Sequence, residues 1–275
     1  MHSKVIQQKK IQSIFFDAMK NGEFSPYYQP KVNTETNTII GAEALVRWIR
    51  NGEMMLPGEF IPVLEMDNSI CELDFYIFEQ VCKDIRRWID EGTEPVRIST
   101  NFSRRNLFDP EFSKHIRKIL EDYDIPKQYI EVELTESISE EENDMLSRFI
   151  RDMHDGDIVI AIDDFGTGYS SLSVLRDHKA DVLKLDKSFI DGHTDTKRDV
   201  VVVSNIAKMA KELDMSVITE GVESWDQVGF LKSVNINTVQ GYLFDKPRPY
   251  DRIAEEAKNG TGLIYETPEE RSAAP

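Results

Sequence analysis

The 275-residue sequence is 40% hydrophobic and 30% charged, the composition of an ordinary soluble globular protein, and its length suits one large α/β barrel or two smaller domains. A formal net charge of −17 argues against a sequence-independent nucleic-acid binder, which needs a basic stripe, so no nucleic-acid polymer is expected as partner. No apolar run approaches the roughly 18 residues of a membrane span.

The N-terminal Met1-His2-Ser3-Lys4-Val5 has no apolar signal-peptide core, which makes the cytoplasm the expected compartment. Cys71 and Cys82 fall in one predicted helix, at a spacing that suits neither a metal knuckle nor a redox pair.

Apolar positions at Val5, Ile6, Ile11, Ile14, Phe15 and Met19, closed by Gly22, predict a helix over 4–20. Residues 1–22 are thus expected as a helix packing on a barrel that spans 23–258. Two strands follow, Tyr27–Val32 and Ile39–Leu45. The gap between them is too short for a parallel crossover, so they should pair antiparallel. Beyond them strand and helix alternate. Helices are predicted at 72–90, 110–123, 143–154, 197–213 and 224–234, and another from about Tyr250. Strands are predicted at 96–101, 129–134, 158–163, 181–186, 216–220 and 236–240. Eight strands with intervening helices favour closure into a TIM-like barrel, with the antiparallel first pair as a local departure. Residues 259–275 read as a loose tail.

In such barrels the chemistry sits where strands end. Those ends deliver Glu43 with Arg47 beyond it, Asn101, Glu133 with Glu136 beyond it, Asp163 and Asp164, Lys184 and Asp186, Glu220 and Glu223, and Gln240. Residues two apart on a strand share a face. Glu131 therefore shares one with Glu133, and Lys184 with Asp186. Any one carboxylate reads as a solvated strand end. A ring of Glu43, Glu133, Asp163, Asp164 and Glu220, countered mainly by Lys184, would not stay ionised without bound cations. Oxygen ligands, with Asn101 as a neutral donor, suit Mg²⁺ or Mn²⁺ rather than zinc. Two such ions about 4 Å apart would clamp a phosphodiester and bridge an attacking water.

These residues carry a family signature. Glu43-Ala44-Leu45-Val46-Arg47-Trp48 resembles the motif that names the EAL domain, a family of cyclic di-GMP phosphodiesterases. Tyr28-Gln29-Pro30, Asn101-Phe102-Ser103, Glu133-Leu134-Thr135-Glu136, Asp163–Leu172, Lys184-Leu185-Asp186, Glu220-Gly221-Val222-Glu223 and Gln240-Gly241-Tyr242 follow in the family's order. The resemblance implies a modified TIM (β/α)8 barrel of class α/β with an antiparallel first strand. It implies that Glu43, Asn101, Glu133 and Asp163 hold one metal, and that Asp163, Asp164 and Glu220 hold a second. Lys184 would contact and orient the attacking water. Whether Lys184 or Glu220 activates it stays open. Gln29, Leu45, Arg47, Asp186, Glu223 and Gln240 would contact the nucleotide, and Glu136 would pin the loop 164–172. The product would be linear pGpG, and a homodimer is expected. Asp157, Thr219 and His178-Lys179 depart from common family residues, and none is a ligand.

A non-catalytic cyclic di-GMP receptor or interaction module would share this fold, but the complete ligand set favours an enzyme. His154-Asp155 lacks the further histidines of an HD-type phosphohydrolase. Asp164-Phe165-Gly166 lacks the companion motifs of a kinase.

Overall fold

The computed structural model describes residues 2–135, 140–166, 171–191 and 197–251. The expected loop support Glu136, residues 167–170 of the loop 164–172, the helix beyond Asp251 and the tail 259–275 lie outside the described residues.

Helix α1 (His2–Lys20) leads into β1 (Phe24–Asn33) and β2 (Thr38–Arg50). After β3 (Glu53–Met55), α2 (Pro57–Leu64) and α3 (Ile70–Asp90) come β4 (Arg97–Asn101), α4 (Phe112–Asp122), β5 (Ile130–Thr135) and α5 (Glu140–His154). The chain continues through β6 (Val159–Phe165), α6 (Ser171–Asp177), β7 (Val182–Leu185), α7 (Lys197–Glu212), β8 (Ser216–Thr219), α8 (Trp225–Ser233) and β9 (Thr238–Val239). The sheet order is β1-β9-β8-β7-β6-β5-β4-β2-β3, and a β1–β2 pairing closes all but β3 into a barrel. β1 runs antiparallel to both neighbours, whereas β2 and β4 through β9 are parallel. The short first connection explains this, because only a hairpin can be closed with so few residues.

The strand expected to end at Leu45 runs on to Arg50 and turns back through β3, pairing Arg50 with Glu53. Asn51 and Gly52, at φ 53° and 80°, make this two-residue turn. Asn-Gly accepts left-handed backbone at both central positions more readily than other pairs do. Glu43 therefore lies in mid-strand, with its register partners Gln29 on β1 and Ser99 on β4.

The core lies mainly between barrel and helices. Phe24, Trp48 and Phe60 pack edge-to-face or tilted near Phe15 of α1. Phe102, Phe112 and Phe149 link β4's end to α4 and α5. Outward Tyr28 donates to Asp84 of α3 at 2.5 Å. The barrel interior is different. Its apolar part is the small cluster Ala161, Val182 and Ile218, and the space above it is filled by charge. Strand alternation produces this, because Lys31, Glu131, Glu133, Asp163 and Lys184 take the inward positions.

Candidate active site and metal centre

Lys184 is fully buried, and its ammonium is the focus of the site. Nζ lies 2.5 Å from Glu133 Oε2, 3.1 Å from Asp163 Oδ1 and 3.4 Å from Glu43 Oε2, and it also contacts Glu220 Oε1. Four carboxylates from separate strands or strand ends thus converge on one point. Among the described residues, Glu43, Glu133 and Asp163 form the group of potential metal ligands whose ligand atoms all lie within 4.8 Å of one another. Asn101 joins them by donating Nδ2–H to Glu43 Oε1 at 2.6 Å. A half-turn of its carboxamide would present the oxygen instead.

The electrostatics follow from too few cations among buried acids. Burial pushes Glu43 and Glu220 up, and the ammonium of Lys184 only partly opposes it. Burial also acts on Glu133, but Lys184 and Lys31 outweigh it and hold this carboxyl down at about 2. Glu133 thus stays ionised, while Glu43 and Glu220 are driven toward the neutral acid unless more positive charge arrives.

Gln29, Glu43 and Gln240 form a second network. Gln240 Nε2 donates to Glu43 Oε2 at 2.6 Å and to Gln29 Oε1 at 3.0 Å. Gln29 Nε2 donates to the Asp245 carbonyl at 3.0 Å. Leu45, Asp163 and Asp164 reach a cavity of about 320 Å³ that continues past Asn101 to Glu65 and Asp74. Its walls are mainly apolar, contributed by α2, α3 and the end of β4. Arg47 is half-buried, with its guanidinium 5.9 Å from the Tyr27 ring centroid, and Nη1 donates to the Val46 carbonyl.

The remaining expected residues stand further out. Asp164 is exposed in left-handed backbone (φ 56°), and its N–H donates to Asp163 Oδ1 at 2.8 Å. The side chain of Asp186 accepts from Ser188 N–H, and exposed Glu223 lies just before α8. Lys31 was not expected here. It is buried below Glu133, 2.6 Å from Glu131 and 2.8 Å from Glu133. Its place two residues after Gln29 on one strand is the signal that puts it inside the barrel. Asp74 was not expected either. Its Oδ2 accepts from Ser103 N–H at 2.7 Å and from Asn106 Nδ2 at 2.8 Å, which fixes the loop after Asn101.

The donor set fits hard divalent cations. It is made of oxygens, is largely buried, and carries more carboxylates than its lysines neutralise. Among the described residues, no histidine or cysteine enters the cluster.

Signaling protein YkoW of Bacillus subtilis strain 168 is 34% identical over 240 residues, 87% of this chain and 30% of that protein. Cyclic di-GMP phosphodiesterase NbdA of Pseudomonas aeruginosa PAO1 is 31% identical over 253 residues, 92% of this chain and 32% of that protein. The chain spans about a third of the length of these curated relatives. Among solved structures, the PaMucR phosphodiesterase in its c-di-GMP complex matches with a TM-score of 0.82 at 29% identity, over 89% of this chain and 99% of that one. A profile of the EAL domain matches residues 12–247, and the chain belongs to the EAL domain family.

Proposed function

We propose that this chain hydrolyses cyclic di-GMP to linear pGpG at the carboxylate cluster around Lys184, with two divalent ions, Mg²⁺ or Mn²⁺, as cofactors. The observation that carries the reading is the convergence of Glu43, Glu133, Asp163 and Glu220 on one buried point. Glu43, Asn101, Glu133 and Asp163 would hold one ion. Asp163, Asp164 and Glu220 would hold the other. The ions, when bound, neutralise the phosphodiester charge and make water a better nucleophile.

The chain's own groups divide the rest of the work. Lys184 is kept as an ammonium by its surroundings, because four carboxylates outweigh its burial. It has hydrogens to give and no lone pair, so its part is to orient the water. Glu220 is the most exposed of the four acids, its side chain 26% accessible against 0–11% for the others. It is the acceptor for the water's proton. Attack of the water oxygen on phosphorus breaks one P–O3′ bond; the departing 3′ oxygen takes up a proton from solvent, and Glu220 returns the one it accepted to solvent. The Gln29–Gln240 pair and Arg47 hold the nucleotide. Leu45 and the apolar cavity beside Asn101 receive a base, with Asp186 and Glu223 at the outer rim. A bound base is mostly apolar face with a few polar edges, which is what such a cavity accommodates.

We read residues 23–258 as the catalytic barrel, with 1–22 as a supporting helix and 259–275 as a tail. Glu136 would secure the loop 164–172. A homodimer and a cytoplasmic setting accord with a nucleotide substrate of bacterial signalling and with two free cysteines. Purified protein incubated with cyclic di-GMP and Mn²⁺ should yield pGpG by chromatography, and EDTA should stop it. Tight binding of cyclic di-GMP without any pGpG would mean a receptor rather than an enzyme.

A further inference from the structure

Lys31 has no place in that scheme, yet it is one of the least accessible charges in the protein. Its strand neighbour across the β1–β2 pair is Gly41, and the lysine stem passes within ordinary contact distance of it inside the barrel. An ion pair buried this deeply contributes little to stability compared with an apolar filling. The apolar cluster of Ala161, Val182 and Ile218 shows that this end of the barrel accepts such a filling. The pair therefore calls for another reason.

The geometry supplies one. Glu133 turns its two oxygens to different partners: Oε2 to the point shared with Glu43 and Asp163, Oε1 to Lys31 Nζ at 2.8 Å. Glu131 in turn fixes Lys31 Nζ from the other side at 2.6 Å. One oxygen of Glu133 is thus withheld from the centre.

Resting on the reading of Glu133 as a metal ligand, we propose that Lys31 is a positioning residue that makes Glu133 a one-oxygen ligand and so sets which divalent ion the site prefers. Mg²⁺ and Mn²⁺ take compact, near-octahedral sets in which a carboxylate gives one oxygen. Ca²⁺ takes more oxygens, often both from one carboxylate. With Lys31 in place the site favours the smaller ions. Without it both oxygens of Glu133 are free to turn inward, and the balance moves toward Ca²⁺.

The test is a competition read without turnover. Mn²⁺ binding is followed by the electron paramagnetic resonance of free Mn²⁺, and Ca²⁺ is titrated against it. The variant is K31M/E131Q, which removes the lysine without leaving Glu131 as an unpaired buried charge. E131Q alone keeps Lys31 on Glu133 and serves as control. K31M/E131Q removes one charge of each sign, so any residual electrostatic change, like any loosening of packing, acts on both divalent ions alike. The ratio of Ca²⁺ to Mn²⁺ affinity is insensitive to either. That ratio should rise about tenfold in K31M/E131Q, the lower end of what outer residues do to metal sites, and stay near wild type in E131Q. If K31M/E131Q does not fold, K31L/E131Q gives the same comparison. An unchanged ratio in a folded variant that binds Mn²⁺ overturns the assignment of Lys31. Wild-type protein that binds no Mn²⁺ would instead overturn the metal centre itself.

Discussion

Lys184 Nζ and Asp163 Oδ1 stand 3.1 Å apart on neighbouring strands, at a place where the β6–β7 register shifts between Ile162 and Phe165. Such irregularities re-aim side chains at barrel rims. Here the shift accompanies left-handed backbone at Asp164, with Asp163 turned into the barrel and Asp164 left exposed. The lysine and the aspartate are thereby coupled, and so are the other acids that share the lysine.

Removing that ammonium should expose the cost of the acids. Lys184→Met without divalent metal is expected to lose about 3–5 kcal/mol, as when one partner of a buried ion pair is deleted. Mn²⁺ should then raise the melting temperature of the variant more than that of the wild type. Calorimetry with and without Mn²⁺ decides it, and equal melting temperatures in metal-free buffer would contradict the account.

Glu43 touches Asn101, Gln240 and Lys184 at once. Glu43→Ala should therefore reduce turnover by more than about a hundredfold, beyond the loss typical of outer residues, while circular dichroism stays native. Activity near wild type would mean that Glu43 is not a ligand.

Asp74 gives a pH prediction with a definite sign. Burial pushes its carboxyl from 3.8 up to about 7, against the bonds from Ser103 and Asn106. A carboxyl that holds its proton more tightly when folded favours the fold most at low pH, and that contribution is lost as pH rises through this window. Wild type should lose about 2 kcal/mol relative to Asp74→Asn between pH 5 and 8. Denaturant unfolding at both values checks it, and parallel pH slopes in the two proteins would count against it.

Two glycines make a contrasting pair. A Cβ at Gly241 would overlap the backbone of Val222, whereas one at Gly229 in α8 meets nothing within 4 Å. Gly241→Ala should cost about 1–3 kcal/mol or more by overpacking and weaken substrate binding by displacing Gln240. Gly229→Ala should stabilise by about 0.5–1 kcal/mol through helix propensity. Unfolding curves and KM values for both variants test this, and similar effects at the two positions would contradict it.

Much of the fold was legible because the barrel strands are punctuated apolar runs and the first connection is too short for a crossover. Glu43, Glu133 and Asp163 were legible as a set because several strands put an acid near the same end. The extension of β2 to Arg50 was missed although Asn51-Gly52 marks a hairpin, because β3 is only three residues long and mostly exposed, with no apolar alternation to show a strand. Lys31 was missed because a lysine in a strand reads as solvent-facing. Only its parity with Gln29, together with closure of the barrel over both faces, places it inside. Asp74 was hidden for a different reason: it lies on a helix, and its partners Ser103 and Asn106 come from a loop far away in sequence.

The most direct measurement is anomalous diffraction from crystals grown with Mn²⁺. The account predicts manganese peaks enclosed by Glu43, Asn101, Glu133, Asp163 and Glu220, with Lys184 moved aside from its present contacts. Manganese found only at surface carboxylates, with Lys184 still clasped by all four acids, would contradict it.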